Sequence, residues 1–195
     1  MIDAILNAGI FGITCWLVIF VFFRKDHRWN LRRGRKALRF FTAQSNVLCA
    51  AGALMMWIFP ESRAAWVLKY MGTCAVTVTM LTVFLFLAPS VGKDWVSKLL
   101  KGSDLFMHLI TPLLALFSFC VFEKRGMGFG TALWGMLPVA VYGPWYLNRI
   151  LFAPAEKRWE DFYGFNKGGK WPVSFGMMGI GTFLICMGLM ALQNL

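Results

Sequence analysis

Long apolar runs alternate with short polar or basic connectors along the whole chain. A helix needs roughly 20 mostly apolar residues to cross the hydrocarbon core of a bilayer. Six windows satisfy that length, at about 4–23, 40–59, 67–88, 105–122, 131–152 and 171–192. The pattern predicts an all-α integral membrane protein, a single bundle of six transmembrane helices making one domain over residues 1–195. Two connectors are longer than the rest, 24–39 and 153–170, and no low-complexity tract or internal repeat divides the chain. The first window starts almost at Met1 without a basic leader or a small-residue cleavage site, so it reads as a retained helix.

Polar residues inside the windows mark where the bundle does more than span. Thr42, Ser45, Asn46 and Cys49 recur at helical spacing, which makes one face of the second helix polar near its entrance. His108, followed by Thr111 and Pro112, makes a second polar place in the fourth. Polar groups within a membrane cost energy unless they find partners or face a cavity. Thr73, Thr77, Thr79 and Thr82 in the third helix read as hydroxyls that bond the preceding turn or join helices. Pro112, Pro138 and Pro144 fall inside helices and favour kinks. Methionines and glycines make the last helix soft and closely packable, a packing wall or part of a lipid-fitting surface.

Composition and charge sharpen this picture. The chain is 58% hydrophobic, with a formal net charge of +11. Because the cations lie between apolar runs, they fit membrane-surface anchoring and anionic phospholipid headgroups rather than nucleic acid. Of the 20 lysines and arginines, all but Arg63, Lys69, Lys124 and Arg125 fall at odd-numbered connectors or the helix ends beside them. That asymmetry places the odd connectors in the cytoplasm and both termini outside, as in a plasma-membrane protein. The basic stretch 24–39 reads as a topogenic loop, an interfacial helix, or both. His27 lies among cations and reads as surface. Trp29, Trp57, Trp66, Trp95, Trp159 and Trp171 sit at helix borders, as interfacial belt residues do. Cys15, Cys49, Cys74, Cys120 and Cys186 all fall inside apolar runs and read as small buried thiols, with no zinc spacing among them.

Depth brings the polar places together. Thr42 lies roughly 3 Å inside the cytoplasmic end of its helix and His108 roughly 4–5 Å inside the same end of another. The fifth helix leaves on that side with Tyr142, Tyr146, Asn148 and Arg149. Such a set permits acyl transfer to water. A threonine hydroxyl needs a base within reach to act as nucleophile, and histidine suits that task near neutral pH. Ser45, Asn46 or freed backbone N–H groups would hold an oxyanion, and Arg149 or Tyr146 a lipid carboxylate. Asp104, one turn before His108, either orients the ring or simply starts its helix. The same residues equally describe a packed, hydrogen-bonded histidine. Haem is disfavoured because a second axial partner is missing, and no metal, nucleotide or other cofactor is required.

Phe41-Thr42 at the start of the second helix, His108 followed by Pro112, and Tyr142…Tyr146…Arg149 before an aromatic connector resemble the androgen-induced and androgen-dependent membrane protein family. The form Phe-Thr-x-Gln-Ser-Asn is similar to a prokaryotic branch of it. The resemblance implies a multi-pass threonine hydrolase that cleaves fatty-acid esters of hydroxy fatty acids, with Thr42 as nucleophile and His108 as base. Ser45, Asn46, Tyr142, Tyr146, Asn148 and Arg149 are then candidate substrate-binding residues. The connector here reads Trp159-Glu-Asp-Phe-Tyr163-Gly-Phe-Asn166, a departure from the Trp-x-Tyr-Pro-like turn of the animal members. The alternatives are a non-enzymatic lipid or sterol binder, or a small transporter, using the same polar pocket, and an assembly subunit whose basic loops bind a partner.

Overall fold

In the computed structural model, residues 1–22 and 30–195 are described, and all their regular structure is helical. Five helices are long and apolar enough to cross a membrane: Ile2–Phe20, Phe41–Ile58, Arg63–Leu99, Ser103–Phe122 and Trp171–Asn194. The architecture is that of an all-α membrane protein. The chain runs as α1 (Ile2–Phe22), α2 (Leu31–Ala37), α3 (Phe41–Ile58), α4 (Arg63–Thr82), α5 (Ala88–Val91), α6 (Trp95–Leu99), α7 (Ser103–Leu105), α8 (Thr111–Phe117), α9 (Phe129–Ala132), α10 (Leu137–Leu147) and α11 (Trp171–Asn194). The stretch expected as one span over 131–152 is broken. A 3₁₀ turn at Leu133–Met136 separates α9 from α10, and Pro138 follows it in the first turn of α10.

Three helices widen immediately before a proline. Thr111 N–H reaches back five residues to Phe106 O, and Pro112 follows. Ala88 N–H does the same to Val83 O before Pro89, and Ala153 N–H to Asn148 O, at 2.9 Å, before Pro154. A proline ring collides with the carbonyl four residues earlier and supplies no N–H. The wide turn moves that carbonyl aside and gives its neighbour another donor. The kink expected at Pro112 therefore takes the form of a π turn over Phe106–Ile110, the turn that carries His108.

α2 occupies part of the basic connector. Asn30 caps it by accepting a bond from Arg33 N–H at 3.0 Å. Residues 24–29 of that connector, including His27 and Trp29, lie outside the described residues.

α3 and α4 form an antiparallel hairpin at unusually close range. A Cβ on Gly52 would lie 2.6 Å from Lys69 Cα, and one on Gly72 would lie 2.6 Å from Cys49 Cα. Small residues let backbones touch where lipid supplies no hydrophobic driving force. Thr73, Thr77 and Thr79 donate to the carbonyls of Lys69, Thr73 and Ala75 at 2.9, 2.7 and 3.2 Å, as the sequence led one to expect. The five cysteines are free thiols; Cys49, Cys74 and Cys186 are buried as expected, whereas Cys15 and Cys120 are only half-buried, and Cys74 and Cys186 bring their sulfurs to 3.9 Å between α4 and α11.

Trp66 and Lys69 also depart from their sequence reading. Trp66 is fully buried rather than interfacial; its indole N–H donates to Glu123 O at 2.8 Å. Lys69 is not a surface cation at a helix end. Its ammonium is buried, donating to Asn7 Oδ1 at 2.5 Å and lying 3.9 Å from Glu123 Oε1. That carboxylate oxygen also accepts from Asn7 Nδ2 at 2.6 Å and Ser118 Oγ at 2.8 Å. Three segments of the bundle thus meet at one buried ion pair, at the end away from Thr42.

Candidate functional site

The start of α3 is built against the connector between α10 and α11. Phe40 is extended, with ψ 137°, so the chain turns sharply into the helix and leaves the Phe41 amide unpaired within it. That amide donates to Tyr163 Oη at 3.0 Å. Tyr142 Oη donates to Arg39 O at 2.8 Å, just before the turn. Rings fill the joint: Phe41 against Tyr142 at 5.0 Å and Phe40 against Phe162 at 4.5 Å between centroids.

Asp161 holds the connector in shape. Its carboxylate accepts from the Phe165 and Asn166 amides at 2.9 and 2.7 Å and from Tyr146 Oη at 2.9 Å. Asp161→Ala removes the acceptor oxygens of all three bonds at once and is expected to cost about 1–3 kcal/mol. Limited proteolysis between Asp161 and Lys170 checks this, since the loosened turn should be cut faster in the variant.

Behind this joint lies a cavity of about 210 Å³, bounded by α3, α4, α10, α11 and the connector. Its hydroxyls come from Thr42, Thr79, Thr82, Tyr142, Tyr146, Tyr163 and Ser174, and the remaining wall is mostly apolar. Phe86 and Met177 stand on its rim and are 56% and 55% exposed on the outer face of the bundle. The opening therefore has an apolar lip, the kind a lipid chain crosses without desolvation cost. Burial holds the Tyr163 phenol above its ordinary pKa, partly offset by the Phe41 amide that donates to its oxygen. It enters any chemistry as a neutral phenol.

Of the candidate residues, Thr42, Tyr142 and Tyr146 share the cavity. Ser45 stands behind its wall, with its hydroxyl 2.8 Å from Thr79 Oγ1 and donating to Thr42 O at 3.0 Å. Asn46 joins two helices, donating to Thr42 O at 2.8 Å and to Met107 O at 3.2 Å; its own carbonyl oxygen has no partner among the described residues. His108 is not in the cavity lining. Its Nδ1 lies 2.7 Å from Leu99 O. A carbonyl only accepts, so this bond puts the proton on Nδ1 and leaves the Nε2 lone pair for another donor. Asn148 is exposed, and Arg149 packs against Trp159 at 5.8 Å from the ring centroid; neither lines the cavity.

Tyr163, Thr79 and Thr82 were not singled out as site residues by sequence. The threonines sit among others that merely bond the preceding turn. Tyr163 is carried in by a connector with no helical period to announce it. In comparisons with known proteins, no family model, no curated protein and no solved structure matches this chain.

Proposed function

We propose that this is a six-span membrane protein that holds an amphipathic acyl lipid in the cavity between α3, α4, α10 and α11. The helical pieces between Phe129 and Phe152 supply the fifth span, crossing despite their break. The odd connectors lie in the cytoplasm beside anionic headgroups, and both termini lie outside. The observation that carries the reading is an apolar-lipped cavity whose inner wall presents Thr42 among neutral hydroxyls.

The test is retention of lipid through purification. Native mass spectrometry of the protein in mild detergent should show a co-purified lipid. Val139→Trp, which places a large ring in the cavity, should release it while leaving the melting temperature within a few degrees of the parent. Full retention by that variant, together with an unchanged fold, overturns the assignment.

A second reading, hydrolysis of an ester held there, has its own support. The amide of Asn46 ties the turn after Thr42 to Met107, the residue before His108. The Leu99 contact fixes His108 in the tautomer whose Nε2 serves as a base. Thr42 would attack the acyl carbon while His108 takes its proton and hands it to the departing alcohol oxygen, and water would then cleave the acyl-threonine ester to free the acid, as the resemblance to the androgen-induced family implies. A fluorophosphonate probe should then label the protein, and Thr42→Ala and His108→Ala should each abolish labelling. Labelling that persists in both variants, or none in the parent, removes catalysis and leaves the binder.

A further inference from the structure

We infer that Arg39, Arg149 and Trp159 form a discrete headgroup site, built for the phosphate of a phosphomonoester lipid lying in the leaflet beside the start of α3. The assignment stands apart from what fills the cavity, since neither guanidinium lines it.

The first observation is two cations on one ring. The guanidinium carbons of Arg39 and Arg149 lie 5.3 and 5.8 Å from the centroid of Trp159. Arg39 ends the connector before α3, and Arg149 lies in the wide turn that follows α10. Trp159 is itself fixed. Its backbone N–H donates to Arg149 O at 3.0 Å, and its ring meets Trp145 edge-on at 4.7 Å. An indole holds guanidiniums in place. Much of the ordering that binding demands is therefore present beforehand.

The second observation is what these cations lack. Among the described residues, no carboxylate forms an ion pair with either guanidinium, although Glu156 and Glu160 lie close to Trp159 in the chain. Asp161 gives its oxygens to the Phe165 and Asn166 amides and to Tyr146. Neither guanidinium donates a hydrogen bond among the described residues, and Arg149 Nε is buried without an acceptor. Like charges gathered on one ring repel. An anion beside the ring removes that repulsion and accepts from both forks of N–H groups.

Position and charge name the anion. Arg39 stands two residues before a membrane-length helix, Phe41–Ile58, which puts the pair at the level of lipid headgroups. A phosphodiester brings a single charge and fewer free oxygens. A phosphomonoester brings a charge of about −1.5 to −2 near neutral pH and three acceptor oxygens, a match for two guanidiniums. This is a built site, distinct from the diffuse attraction of the basic connectors for anionic membranes.

The experiment titrates the full-length protein in mild detergent with dioleoyl phosphatidic acid or dioleoyl phosphatidylglycerol and counts bound lipid by native mass spectrometry. The phosphomonoester should bind about tenfold more tightly. Arg39→Gln with Arg149→Gln should abolish that preference. Arg32→Gln with Arg35→Gln, the same loss of charge on exposed positions of α2, should leave it within about twofold. Trp159→Ala keeps both charges and should weaken the phosphomonoester several-fold, whereas Trp159→Phe should recover most of that loss. Should the Arg39/Arg149 double variant melt early, the exposed Arg39→Gln alone should still lower the preference about threefold. Equal binding of the two lipids, or equal losses in the two doubly neutralised variants, overturns the site. A preference that disappears in Val139→Trp would place the lipid in the cavity and overturn it too. Glycerol 3-phosphate binding as tightly as the lipid would make the ligand a soluble anion and overturn the lipid assignment.

Discussion

Glu123→Ala destabilises the protein by about 3–5 kcal/mol, the cost of leaving a buried cation without its counter-charge. Lys69 has no exposed side-chain surface and Glu123 has 1%. Removing the carboxylate leaves the ammonium with Asn7 alone and takes the acceptor from Asn7 Nδ2 and Ser118 Oγ. Unfolding in mixed micelles, followed by tryptophan fluorescence, reads the loss, because the buried Trp66 donates to the Glu123 carbonyl. Lys69→Met added to Glu123→Ala should recover most of it, since a neutral pair of apolar side chains carries no desolvation penalty. A single variant within about 0.5 kcal/mol of the parent, or a double variant no better than the single, would show that the pair contributes little.

The second large effect comes from two absent methyl groups. Gly52→Ala and Gly72→Ala each place a Cβ at 2.6 Å from backbone of the facing helix, where no side chain can swing aside. The hairpin must open, at about 1–3 kcal/mol for each substitution. The two sites share one interface, so their effects should not add. Gly9→Ala and Gly12→Ala are the controls: nothing lies within 4 Å of a Cβ at either, and alanine there should be neutral or slightly stabilising. Thermal melts of the four variants in the same detergent check the contrast. Equal shifts at all four positions would mean that the close approach of α3 and α4 is not what the glycines provide.

These effects show what was legible in the chain and what was not. Apolar runs of spanning length announce themselves, and five of the six windows correspond to membrane-length helices within a few residues at their ends, except that the third starts and continues beyond its window. The stretch 131–152 kept its helical content but not its continuity, because Pro138 sits just past a tighter turn. Its proline was visible, whereas the choice between a kink and a change of helix type depends on neighbours far along the chain. Thr42, Tyr142 and Tyr146 were reachable through spacing and depth, and they share the cavity. His108 turns its ring toward Leu99, and a depth calculation carries no rotation about the helix axis. A π turn adds a residue to the repeat, so a 3.6-residue period carried through Phe106–Ile110 loses its register. Lys69 was counted as a topogenic charge because a cation near a helix end usually snorkels to water. Its partner Glu123 stands beside Lys124 and Arg125, where a lone acid draws no notice.

Lys69 and Glu123 also fix an order of events during synthesis. The hairpin of α3 and α4 leaves the ribosome before Glu123 is made, so its ammonium first meets the bilayer without a carboxylate. Asn7, already translated, is the acceptor at hand. A chain lacking that amide should stall or be degraded while being threaded into the membrane, even though the finished molecule would keep its ion pair.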